Sequence, residues 1–307
     1  MSNLLVKKIL FVSFLIFLCA IGFVVIQKMR VNGQFGATQK ETVEYHQQRV
    51  LRFVYEITNE TPNAIDDSKF STYLPVRTLS NQQAISLKSS IPYIEETGQS
   101  GNRIGRFELG LIPPFGKKQL VISAGVEMAI KANPLSIENH DKYLQSEKYI
   151  EVGHSEIKSL AEKLAGKTEI ESLEKIYNWV SLHIKYAGYV SKDKGALDAL
   201  RTKRGDCTEY AYLVVALARA MNIPARAIGG YVYGNNKIVS ASDYHNWAEV
   251  YLEGKWQIID AQKKSFMKGV QNYIALRVIE PSDVSLLGST HRFAVASEGL
   301  TVKLPLN

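Results

Sequence analysis

Arg204-Gly205-Asp206-Cys207-Thr208-Glu209-Tyr210 opens the stretch that decides the reading, His245-Asn246-Trp247-Ala248-Glu249-Val250 continues it, and Trp256-Gln257-Ile258-Ile259-Asp260 closes it. After Cys207 come Tyr210, Ala211, Val214, Val215, Leu217, Ala218 and Met221, the apolar spacing of a mostly buried helix. Asn222-Ile223-Pro224 stops that helix. Cys207 therefore falls in a first turn, where free amides and the helix dipole favour a thiolate. The same amides could receive an oxyanion.

His245, Trp247, Glu249 and Tyr251 alternate with Asn246, Ala248, Val250 and Leu252, which predicts a strand. Glu253-Gly254 is a hairpin signal, and Lys255 to Asp260 is the return strand. A two-residue turn pairs Leu252 with Lys255 and Trp247 with Asp260. His245 then lies diagonally from Asp260 on the same face, about 7–8 Å away at the backbone and within side-chain reach. A one-residue slip would move the imidazole to the other face. Cysteine, histidine and aspartate in this order supply a nucleophile, a base and a group that orients the base. Zinc held by Cys207, His245 and Asp260 is the weaker reading. The sequence has no Cys-x-x-Cys or His-x-x-x-His, and structural zinc takes four protein ligands.

Upstream of the thiol, Ile157, Leu160, Ala161 and Leu164 fall at helical spacing, and Gly166 ends that run. Thr168-Glu169-Ile170-Glu171 matches a capping box, and Ile170, Leu173, Ile176, Tyr177, Val180 and Ile184 continue one apolar face. Trp179, Tyr186 and His183 read as structural. Arg201 to Arg204 reads as a solvated loop beside the thiol.

Residues 41–150 read as a β-rich, sandwich-like module. Strands are expected at Leu51–Thr58, Ser71–Val76, Gln83–Leu87, Arg106–Ile112 and Gln119–Met128, with turns at Asn59-Glu60-Thr61-Pro62-Asn63 and Pro113-Pro114-Phe115-Gly116-Lys117. His46 and His140 have no partner pattern. Past the hairpin, Tyr273–Ile279, Phe293–Ala296 and Leu300–Leu304 read as strands that extend the sheet or pack on the sandwich, and His291 as a surface residue.

Lys7-Lys8 precedes eighteen uncharged residues, Ile9 to Ile26, which reads as an uncleaved signal anchor within residues 1–30, with a cleaved signal as the alternative. This predicts one transmembrane helix, a plasma-membrane location and an extracytoplasmic remainder. The formal charge is +7, and Lys7, Lys8, Lys28 and Arg30 supply four of these charges, which leaves +3 over the rest. That is too mild for a nucleic-acid partner. Of two cysteines, Cys19 lies in the apolar run, so Cys207 is the single thiol of the remainder. A lone exported thiol is a liability unless it is used.

The spaced motifs Gly195-Ala196-Leu197, Gly205-Asp206-Cys207-Thr208-Glu209-Tyr210, Ile223-Pro224-Ala225-Arg226, Gly230-Tyr231, His245 to Val250 and Trp256 to Asp260 together resemble the transglutaminase-like superfamily over roughly residues 154–262. Asp260-Ala261-Gln262 departs from the Asp-Pro-Thr often found there. The resemblance implies an α+β fold: a papain-like catalytic domain at residues 151–307, preceded by the β-module and the anchor. It implies Cys207 as nucleophile, His245 as base and Asp260 as orienter, with no cofactor. The expected activity is acyl transfer from glutamine or peptide amides, on a protein or peptide substrate of the cell envelope. The alternatives are a protease or amidase with the same triad, and an inactive scaffold. A water-poor tunnel for an amine acceptor would draw on Trp179, Tyr186, Trp247 and Trp256.

Overall fold

The computed structural model describes residues 43–98, 100–189, 192–280, 285–288 and 292–304, within one compact unit. In β1 (Gln47–Asn59) Leu51, Phe53, Tyr55 and Ile57 are buried and the residues between them are less so, the period of a strand with one covered face. β2 (Lys69–Leu74), β3 (Thr78–Leu79), β4 (Gln82–Ser89), β5 (Tyr93–Thr97), β6 (Arg103–Glu108) and β7 (Lys117–Met128) follow. β7 runs antiparallel along nearly all of β1, and β4 and β3 extend that sheet, while β2, β6 and β5 form a second. Phe70, Ile104 and Phe107 of the second sheet share a core with Leu51, Phe53, Leu120 and Ile122 of the first, a two-layer arrangement. β5 was not legible because Glu95 and Glu96 interrupt its apolar pattern. Arg103 and Arg106 of β6 offset them, each at 2.7 Å from a carboxylate oxygen.

The helices come next: α1 (Ser155–Leu164), α2 (Glu169–His183) and, after β8 (Lys185–Tyr186), α3 (Ala196–Thr202), then β9 (Arg204–Gly205) and α4 (Cys207–Ala220). At α2 the Thr168 hydroxyl accepts the Glu171 amide, but the Glu171 carboxylate takes the Lys167 amide, so the expected capping box is only half closed. The complete box is at α4, where the Asp206 carboxylate accepts the Thr208 amide and the Glu209 carboxylate accepts the Asp206 amide. The stretch expected as a loop, Arg201 to Arg204, instead closes α3 and enters β9. Parallel pairing of β8 with β9 sets Tyr186 beside Gly205, two residues before the thiol.

β10 (Ala225–Val232), β11 (Lys237–Ile238), β12 (Tyr244–Leu252), β13 (Lys255–Asp260), β14 (Ser265–Phe266) and β15 (Tyr273–Val278) complete the second half. Five of them form an antiparallel sheet in the order β14-β13-β12-β10-β15. Small residues Ala225, Ala227 and Ala248 face Leu213 and Leu217 of α4, which lets the helix lie close. Ile228, Trp247 and Ile258 cover the other face with Val76 and Leu79 from the β-rich module. β16 (Phe293–Val295) and β17 (Leu300–Lys303) join β2 and β1 and not the five-stranded sheet, and β11 adds to β1 in parallel.

β10 approaches β15 so closely that a Cβ at Gly230 would overlap the Ile274 carbonyl oxygen and crowd Trp247. Neither neighbour is a flexible side-chain tip. Gly230→Ala is expected to lower stability by about 1–3 kcal/mol or more, read as a fall in Tm. An unchanged melting curve would show that the β10–β15 approach is looser than described.

No helix among the described residues is long and apolar enough to cross a membrane. The expected anchor at residues 1–30 and His291 lie outside the described residues.

Candidate active site

The two-residue turn has Glu253 at φ 51° and Gly254 at φ 78°, the left-handed pair that matches strand twist in a hairpin. It gives the expected register, with Leu252 opposite Lys255 and Ala248 opposite Ile259. At its open end His245 Nε2 lies 2.7 Å from Asp260 Oδ2, both side chains being buried. Tyr273 donates its hydroxyl to the same oxygen at 3.0 Å, and the Lys263 amide donates to Asp260 Oδ1 at 2.9 Å. Asp260 is thus an acceptor on both oxygens, which fixes the proton on His245 Nε2 and leaves Nδ1 as the basic nitrogen. Burial pushes the Tyr273 hydroxyl up, with the Asp260 charge adding, so it stays a donor.

Cys207 is the first residue of α4. The backbone amides of Cys207 and Asn246 favour the charged form of its sulfur, and the Asp260 charge opposes it. The Asn246 side chain donates to Thr208 Oγ1 at 2.9 Å. Asn246 therefore ties the start of β12 to the first turn of α4, and so holds the residue next to the imidazole against the residue next to the thiol. Sequence reading did not assign this role. The signal was its inward parity on β12, opposite to that of His245.

The thiol departs from its sequence-based expectation. Burial first, and the neighbouring Asp206 carboxylate next, push Cys207 up to about 12, while the two amides act weakly the other way. The helix-terminus argument fails because Asp206 and Glu209 already occupy that terminus with their carboxylates. Cys207 is therefore held as a thiol, and its activation rests on a base taking the proton. In His245→Ala, alkylation of Cys207 by iodoacetamide at pH 7 should fall by about 100-fold or more, then rise by about tenfold per pH unit in alkali. Alkylation as fast as in the unaltered protein would refute a role for the imidazole.

Cys207 opens onto a cavity of about 300 Å³ whose walls include Tyr186, Tyr189, Asp193, Tyr244 and Arg292. Tyr186 and Tyr189 are 56% and 79% exposed and form an aromatic rim. Of the tunnel aromatics expected from sequence, Tyr186 alone lines this cavity. Trp247 is buried behind His245, Trp256 stacks on Arg226, and Trp179 stacks on His183 and carries Lys203 over its ring. His46 pairs with Glu44 at the surface, His140 packs edge-on against Tyr251, and His183 contacts the Trp179 carbonyl. Glu209 is buried, and its carboxylate also accepts the Lys194 amide, which pins the Asp193 segment to the site. Desolvation pushes Glu209 up. No three His, Cys, Asp or Glu among the described residues come together as a metal-holding group.

Residues 158–261 match the model of the transglutaminase-like superfamily, a span that contains Cys207, His245 and Asp260. The human Kyphoscoliosis peptidase is 32% identical over 103 residues, covering 31% of this chain and 16% of that protein. Its mouse counterpart is 28% identical over 144 residues, 43% of this chain and 22% of that protein. The chain thus spans less than a quarter of either curated relative. Among solved structures, a candidate cysteine protease from Cytophaga hutchinsonii superposes with a TM-score of 0.58 at 18% identity, covering 85% of this chain and 92% of that one. That likeness concerns the fold and extends over the β-rich part as well as the helical core.

Proposed function

We propose, for a chain whose residues 158–261 form a domain of the transglutaminase-like superfamily, that it is a thiol enzyme acting on amides through a thioester on Cys207. The buried His245–Asp260 pair at 2.7 Å carries this reading. Cys207 gives its proton to His245 Nδ1 and the sulfur attacks an amide carbonyl. The imidazolium, stabilised by Asp260, then gives the proton to the leaving nitrogen, and the acyl group remains on sulfur. The backbone amides of Cys207 and Asn246, which favour negative charge on the sulfur, would serve as donors to the oxyanion.

Acyl transfer from glutamine or peptide amides to an amine is the reading we favour. The aromatic rim of Tyr186 and Tyr189 supports it as a shield against water. Hydrolysis by the same residues is the second reading, favoured by the likeness to a peptidase over the matched segment. The uncharged run from Ile9 to Ile26 supports anchorage of this enzyme in the plasma membrane, with the domain outside and acting on cell-envelope proteins or peptides.

Presenting a peptide amide together with a labelled primary amine separates the branches. Transfer predicts label covalently attached to the acyl product. If amide bonds are cut and the amine never enters a product, the enzyme is a hydrolase. If Cys207 forms no thioester with any amide, the domain is a scaffold and the enzyme reading fails.

A further inference from the structure

Arg292 reaches the thiol's cavity from the other end of the chain. It immediately precedes β16, and its backbone carbonyl is held by the Tyr73 amide at 3.1 Å and the Thr72 hydroxyl at 3.2 Å, both on β2. Its guanidinium donates through Nη1 to the Ala241 carbonyl at 2.7 Å and lies over the Tyr244 ring, 5.4 Å from its centre. Ala241, Tyr244 and Cys207 all line the same cavity. Among the described residues Arg292 makes no ion pair.

This is an unusual situation for an arginine. A half-buried guanidinium loses hydration, and one carbonyl plus one ring leave most of its five N–H donors without an acceptor among the described residues. Three other packed arginines have carboxylates, Arg103 with Glu95, Arg219 with Glu147 and Arg226 with Glu249, while buried Arg277 lies over the Tyr73 ring. The planar fork of Arg292, stacked and held from its backbone, is preorganised to receive a carboxylate on two oxygens. Asp193 and Asp206 also line the cavity, and each already accepts a hydrogen bond, from the Tyr212 hydroxyl and the Thr208 amide respectively. Their charges disfavour an anion beside them, and Arg292 is the arginine among the residues that line this cavity.

We infer that Arg292 selects the acyl donor: the substrate is an amide that carries a carboxylate close to the reacting carbonyl, as an acidic side chain or a chain terminus, and Arg292 binds that carboxylate while Cys207 attacks. The inference rests on the thiol-enzyme reading above and names its substrate class. It also gives the β-rich module a share in the site, since β2 and β16 hold the selecting residue.

Two matched pairs of alkylators test it on the whole protein without knowledge of the natural substrate: iodoacetate against iodoacetamide, and bromoacetylglycine against bromoacetylglycinamide. In each, the Cys207 sulfur displaces halide. Within a pair the reagents differ chiefly in carboxylate against carboxamide. The rate ratio of anionic to neutral reagent should fall by about tenfold in Arg292→Gln in at least one pair, since the ratio cancels any change in the reactivity of the sulfur itself. Arg292→Lys, which keeps the charge, should retain part of the preference and guards against misfolding of the Gln variant. Ratios equal in the unaltered protein and Arg292→Gln for both pairs, with Cys207 reactive, would overturn the inference and leave the enzyme reading standing. A Cys207 inert to all four reagents would remove both.

Discussion

Cys207→Ala should lose turnover by several orders of magnitude, on the order of 10⁴–10⁶, while the fold is retained. The substitution removes one sulfur at the first position of α4, where the capping box of Asp206 and Glu209 and the Asn246–Thr208 bond stay intact. Helix start and strand position are therefore independent of the thiol, and the Tm should move little. The same variant should lose labelling of residues 43–304 by alkylators, because Cys207 is the one cysteine among the described residues. Labelling of the domain that persists in Cys207→Ala, or turnover within about tenfold of normal, would place the reactive group elsewhere.

Asp260→Asn should cost nearly as much, about 10⁴ in kcat, through a proton and not through packing. Asp260 Oδ2 accepts from both His245 and Tyr273, and Oδ1 accepts from the Lys263 amide. An asparagine cannot satisfy all three. If its oxygen faces His245, its NH₂ meets the Lys263 N–H. If its NH₂ faces His245, Nε2 must accept, and the ring proton moves to Nδ1. In that tautomer the nitrogen meant for the thiol proton is already protonated. A melting curve near normal with a collapsed rate, and a pH–rate profile in which the alkaline rise comes to depend on the thiol alone, are the expected signatures. Near-normal turnover would demote Asp260 to a structural residue.

Local rules carried the sequence a long way. The register of the β12–β13 hairpin follows from a two-residue turn, and a side-chain period of two then decides that His245 and Asp260 share a face. The position of Cys207 at the start of a helix follows from the apolar spacing behind it and from Pro224 after it. The Asp206-x-x-Glu209 capping box is also written in the sequence, where the Thr168 pattern, a half-box in the structure, looks the same. Charged β5 was hidden because its stability comes from arginines on β6, which no local pattern shows.

What the tertiary structure decided is the environment of that chemistry. Desolvation depends on every segment packed around a group, so burial holds Cys207 as a thiol where the isolated helix start argues for a thiolate. The cavity wall joins β8, the segment before α3, the turn before β12 and the residue before β16, pieces far apart in the chain. The closing strands could have extended either sheet by their sequence. Their pairing with β1 and β2 fixes where Arg292 stands, and that choice is made by which sheet edge is open. Periodicity and turn geometry act between near neighbours and can be read one residue after another, whereas burial and enclosure are properties of the assembled chain.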